Sequence, residues 1–135
     1  MKIDFNASKP IYEQVIDEIK KQIARGEIKP GDKLPSQRKL AKDIQVNPNT
    51  VQRAYREMEI LDLVETKRGR GTFIKDDDKV IKEINEQMAH SAVEKFITEM
   101  VSIGFEKEEI INLLKSEFER RINNDWNSSK SKQLN

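Results

Sequence analysis

From Ile11 onward, apolar residues recur three and four positions apart. Ile11, Val15, Ile16, Ile19 and Ile23 share one face of a predicted helix. Pro10 suits its first turn and Gly26 its stop. Ahead of it, Ile3 and Phe5 alternate with polar residues and predict a short strand or an ordered arm. The stretch from Gly26 to Pro35 reads as a turn-rich connector, with Pro30-Gly31-Asp32 fixing a tight turn. Ser36 then caps a second helix with Leu40, Ala41 and Ile44 on its buried side. Asn47-Pro48 repeats that start signal. The third helix runs to about Leu61 and buries Val51, Ala54, Tyr55 and Met58.

After the third helix the period shortens towards two. Leu63-Val64-Glu65-Thr66 and Gly71-Thr72-Phe73-Ile74 read as two strands joined by Lys67-Arg68-Gly69-Arg70. Three helices followed by a basic hairpin predict a winged helix-turn-helix domain over residues 1–75. A second region, 76–135, opens with Asp76, Asp77 and Asp78, acids that suit the positive end of a following helix. From about Lys79 to Ile103, Ile81, Ile84, Met88, Ala92, Phe96 and Met100 form one drifting stripe. Val93, Ile97 and Val101 add a second apolar flank. Gly104 ends that helix, and Ile110, Ile111, Leu114, Phe118 and Ile122 define another. Beyond Asn123 the chain is largely polar, with Trp126 its anchor, so a frayed end is expected. The predicted fold is mainly α with a small β wing: a winged helix-turn-helix followed by a two-helix dimerisation hairpin.

Composition narrows the chemistry. Of 135 residues, 36% are hydrophobic and 36% charged, and none is cysteine, which excludes disulfides and zinc–thiolate sites. No run approaches the roughly 20 apolar residues of a membrane span. With no apolar signal region at the N-terminus, the expectation is a cytoplasmic chain with no membrane partner. The single histidine, His90, lies about 180° from the stripe begun by Ile81 and is expected on the surface rather than as a ligand. The acids at 76–78 and Glu106, Glu108 and Glu109 are explained by helix ends. No metal, cofactor or enzymatic activity is expected, for want of nucleophile–base pairs and phosphate loops. Charge is unevenly spread: residues 1–75 hold 16 Lys+Arg against 11 Asp+Glu (+5), and residues 76–135 hold 9 against 13 (−4). A basic half suited to a polyanion is joined to an acidic half with another task.

On the third helix, Asn49, Gln52, Arg53 and Arg56 fall at i, i+3, i+4 and i+7, opposite the apolar set. Amide and guanidinium groups on one exposed face match major-groove base edges and phosphates. Arg38, at the start of the second helix, and Lys67, Arg68 and Arg70, in the hairpin, flank that face. Two helix N-termini add phosphate-binding N–H groups.

Three separated segments carry a family likeness: Pro30-Gly31-Asp32-Lys33-Leu34-Pro35-Ser36-Gln37-Arg38-Lys39-Leu40-Ala41, then Val46-Asn47-Pro48-Asn49-Thr50-Val51, then Arg68-Gly69-Arg70-Gly71-Thr72-Phe73. In that order they resemble the GntR family of bacterial transcription regulators. The short two-helix tail and the Asn-Pro-Asn-Thr segment are similar to its YtrA subfamily. The resemblance implies that Ser36, Gln37, Arg38, Asn47, Asn49, Thr50, Gln52, Arg53 and Arg56 meet an operator, and that Lys67, Arg68, Gly69, Arg70 and Gly71 form a wing at a minor groove. The chain departs from better-known branches, which carry arginines at the positions of Pro48 and Gln52, Glu at Gln37, and often Gly at Asp62. Their base code therefore does not transfer. Gln52 by its geometry suits adenine; Arg53 and Arg56 suit either phosphate or base.

A hairpin of about 55 residues has too little core to stand alone. One apolar flank is expected to pack on the last helix, and the other on a second copy of the chain. Ile84, Met88, Val93, Phe96, Ile97, Met100, Val101, Leu114 and Phe118 are the candidate dimerisation residues. The expected function is a homodimeric, sequence-specific regulator on an inverted-repeat DNA operator, nucleoid-associated in a bacterial cytoplasm. The resemblance further implies repression of its own operon and of a neighbouring transporter operon. The sequence leaves room for an unidentified small-molecule effector between hairpin and winged domain, but no polar cluster points to one. The alternative is a winged module that binds proteins. Nine basic against five acidic residues over 33–70 favour DNA.

Overall fold

The computed structural model describes residues 1–133, with side chains as far as residue 128. In chain order the elements are α1 (Ile11–Ala24), α2 (Gln37–Ile44), α3 (Pro48–Ile60), β1 (Val64–Lys67), β2 (Gly71–Ile74), α4 (Asp78–Ser102) and α5 (Lys107–Gln133). They form two compact units, Met1–Met88 and the chain from Ala89 onward.

The first unit is built around α3, which packs on both α1 and α2. Val51, Ala54, Tyr55 and Met58 are buried there against Val15, Ile16, Ile19 and Ile23 of α1 and Leu40, Ala41 and Ile44 of α2. Fully burying each large aliphatic side chain stabilises the fold by about 1.5–3 kcal/mol. Local signals set the helix starts. Ser36 Oγ accepts the Lys39 N–H at 3.1 Å, and Asn47 Oδ1 accepts the Asn49 N–H at 2.8 Å with Pro48 next in line. The strands lie about a residue from their expected limits and pair antiparallel, Val64 opposite Ile74 and Lys67 opposite Gly71. The connector before α2 does more than turn. Ile74 N–H donates to Asp32 O at 2.8 Å and Leu34 N–H to Thr72 O at 2.8 Å, so residues 32–34 line the free edge of β2.

Residues ahead of α1 form the ordered arm, without strand structure. Gln14 is buried in α1 and holds it: its amide donates to Asn6 O at 2.8 Å and Lys9 O at 2.7 Å, and its carbonyl accepts the Asn6 N–H at 3.1 Å. Met1, Ile3 and Phe5 pack against the core.

Two expectations about the later half need correction. Ile84, a candidate dimerisation residue, is buried in the core of the first unit, with Val80, Ile81 and the candidate Met88 packed against that core. The apolar start of α4 thus completes the winged unit, and the compact boundary falls after Met88 rather than after residue 75. The composition break at Asp76–Asp78 marks a helix start instead, where Asp77 Oδ1 accepts the Lys79 N–H at 3.0 Å.

In the second unit α4 ends at a turn through Gly104 (φ +91°), and Glu109 Oε1 accepts the Glu106 N–H at 3.1 Å to open α5. Ile110 is buried and Phe96 and Met100 are half-buried. Among the described residues α4 and α5 share no extended interface, so one flank is not packed along the length of the last helix as expected. Val93, Ile97 and Val101 on α4 and Ile111, Leu114, Phe118 and Ile122 on α5 are all exposed, between 40% and 64%. The helix continues through the polar stretch expected to fray, to Gln133. Among the described residues no helix is long and apolar enough to cross a membrane.

Candidate nucleic-acid interface

The start of α2 and the base of the wing come together. Ser36, Gln37, Arg38 and Lys39 line an open groove of about 720 Å³ together with Lys33, Pro35, Tyr55, Gly71 and Thr72. Tyr55 fixes this geometry from α3 by donating its hydroxyl to Pro35 O at 2.6 Å. Burial pushes the Tyr55 phenol upward, so it remains a neutral donor. Ser36 Oγ is occupied by its cap, which leaves the Gln37 and Arg38 N–H groups as the unpaired start of the helix. Asn47 is committed in the same way to the start of α3.

Asn49, Gln52, Arg53 and Arg56 are all exposed on α3, and Thr50 is half-buried beside them. They lie outside the groove. Arg53 is not free: its guanidinium carbon lies 4.0 Å from the centroid of the Tyr12 ring on α1. On the wing, Phe73 carries the cations, with Lys67 Nζ 4.8 Å and the Arg70 guanidinium 6.0 Å from its centroid. Gly69 (φ +75°) has open space where a Cβ would be, so the tip can meet another surface closely. Gly71 (φ +120°) holds a backbone conformation that side-chain-bearing residues rarely adopt, whereas the nearest atom to a Cβ there is the flexible end of Lys33.

Among the described residues Lys9 pairs with Asp17, Arg25 with Glu18 and Glu27, Lys75 with Asp62 and Glu65, and Arg120 and Arg121 with Glu117. None of these ion pairs involves Lys33, Arg38, Lys39, Arg53, Arg56, Lys67, Arg68 or Arg70. His90 is exposed, 3.8 Å from Glu94. Among the described residues no cluster of three His, Asp or Glu could hold a metal.

Four contributors escaped the sequence reading. Lys33 and Lys39 stand inside the quoted motif and were legible as cations, but only the pairing of residues 32–34 with β2 brings Lys33 to the groove. Tyr12 and Phe73 act across elements, where no periodicity marks them.

Residues 11–74 match the model of the bacterial regulatory proteins of the gntR family. The chain is 45% identical over 112 residues to the HTH-type transcriptional regulator YhcF of Bacillus subtilis, covering 83% of this chain and 93% of that protein. It is 52% identical over 79 residues to the HTH-type transcriptional repressor YtrA of the same organism, covering 58% of this chain and 61% of the repressor. Among solved structures, a GntR family transcriptional regulator from Listeria monocytogenes is similar with a TM-score of 0.78 and 41% identity, over 83% of this chain and 98% of that one.

Proposed function

The chain belongs to the GntR family of bacterial regulatory proteins, and from that premise we propose that it is a homodimeric, sequence-specific repressor acting on an inverted-repeat operator. The observation that carries the reading is the gathering of Lys33, Arg38, Lys39, Arg53, Arg56, Lys67, Arg68 and Arg70 on and around α2, α3 and the wing, none of them in an ion pair among the described residues. Such cations displace the counterions of a duplex and supply affinity. Arg38 and the exposed amides of Asn49 and Gln52 supply the base-edge donors and acceptors that give specificity. The wing, tipped by Gly69, reaches the adjacent minor groove.

The dimer reading rests on the second unit. Val93, Ile97 and Val101, with Leu114, Phe118 and Ile122, leave two helical faces without a partner in the monomer. Exposed apolar faces of that kind mark an association site, and a second copy supplies an identical pair of helices. Two winged units joined in this way read two half-sites in opposite orientation. Repression is supported by the likeness to the repressor YtrA, and follows physically if the bound dimer occludes a promoter. The genes proposed are its own operon and a neighbouring transporter operon, as likeness to the YtrA branch implies.

The test is titration of random duplex at graded salt. Log affinity should fall linearly with log salt, with a slope of about −0.9 for each phosphate neutralised. A salt-independent interaction, or none, would leave a winged protein-binding module as the better reading.

A further inference from the structure

Arg53 is the one cation of the α3 face that lies on an aromatic ring of another helix. Tyr12, the second residue of α1, is half-buried against the core, so the ring beneath the guanidinium is itself held in place. None of the ion pairs among the described residues involves Arg53, so the stack is not secondary to a salt bridge. A guanidinium lying on a ring keeps its N–H groups in the plane of the stack, where they still donate in pairs to a phosphate. What the stack removes is reach. A side chain drawn across to α1 does not extend from α3 toward the floor of a major groove. Its neighbours Asn49, Gln52 and Arg56 are exposed as Arg53 is, but Arg56 lies on no ring among the described residues.

We propose that Tyr12 is a positioning residue that withdraws Arg53 from base reading and presents it as a clamp on the DNA backbone. Base discrimination by α3 then falls to Asn49, Gln52 and Arg56. This inference rests on the α2–α3–wing face being the DNA interface. It also gives a physical reason for two adjacent exposed residues of one helix, Gln52 and Arg53, to take different tasks, since Arg53 is held on the Tyr12 ring.

The test uses the full chain on a selected operator and on random duplex, over a salt series, with base preference measured for each variant. Arg53→Ala should weaken both duplexes alike, on the order of tenfold, flatten the log–log salt slope by about one, and leave the preferred sequence unchanged. Tyr12→Phe keeps the ring and should behave as the unaltered protein. Tyr12→Leu should cost about two- to fivefold, the worth of an exposed cation–π contact, and should cost nothing further once Arg53 is Ala. Loss of preference at one base position in Arg53→Ala would overturn the inference, as would no effect of that variant. So would a Tyr12→Leu penalty that is the same with and without Arg53, which would mark a merely structural ring. If Tyr12→Leu fails to fold, Arg53→Ala still decides phosphate against base. Absence of salt-dependent binding by the unaltered protein overturns the DNA reading itself, and needs no variant to detect.

Discussion

Two non-glycine residues occupy the left-handed region, Gln45 (φ +58°) after α2 and Asp62 (φ +62°) after α3. That conformation costs an L-residue roughly 1–2 kcal/mol, while glycine costs about 0.5–1 kcal/mol through the unfolded chain. Gln45→Gly should therefore stabilise the protein by about 0.5–1 kcal/mol, read as a raised melting temperature; an unchanged or lower one would contradict the strain. Asp62→Gly gains the same relief but loses the ion pair to Lys75 at 3.1 Å, so its melting temperature should move less than that of Gln45→Gly. The family tendency toward glycine at this position is thus a backbone requirement, which this chain meets with an aspartate that is also a counter-ion. Tyr55→Phe removes the hydroxyl that holds Pro35 and should cost about 1–3 kcal/mol, because a carbonyl is left unpaired. Operator affinity should fall with it, since the start of α2 is no longer tied to α3. Equal stability in chemical denaturation would sink that role.

At the scale of elements, the helices and strands were legible almost to the residue because their signals are local. Ser36 and Asn47 cap within three residues, and Pro48 and Gly104 punctuate wherever they stand. The edge pairing of residues 32–34 was not legible, since a run that short, set among Pro and Gly, shows no period of its own. The wing's Phe73 was read as a strand residue; its second task as a platform for Lys67 and Arg70 depends on contacts around the hairpin turn. These elements should divide the work of binding. Gln52→Ala on α3 should relax preference at an adenine and cost ~1–3 kcal/mol at a cognate site only. Lys67→Ala on the wing should weaken cognate and random duplexes alike and flatten the salt slope by about one unit. A selected motif unchanged by Gln52→Ala would show that α3 is not the reading helix.

On the scale of the whole molecule, the apolar stripe of α4 was legible as a helix face, but not as a face shared between two tasks. Its first turns close the winged unit through Ile84, and only the later part remains exposed. Periodicity records that a side is buried, never against what. A fragment ending at residue 75 therefore lacks part of its own core. The Met1–Met88 fragment should be more stable than residues 1–75, by at least the ~1.5–3 kcal/mol of burying Ile84, as measured by denaturant titration. Equal stabilities would return the boundary to Asp76. Met1–Met88 should also sediment as a monomer and lose the ~10²–10⁴ of avidity that linked binding units provide on a full operator. A dimeric fragment would remove the second unit from the account.

If two identical winged units are joined so as to read DNA with two-fold symmetry, genomic duplexes selected by the intact chain and sequenced should carry inverted repeats, with half-site centres one helical turn (~34–36 Å) or a multiple of it apart. Direct repeats, isolated half-sites or sequences with no common motif would contradict that symmetry.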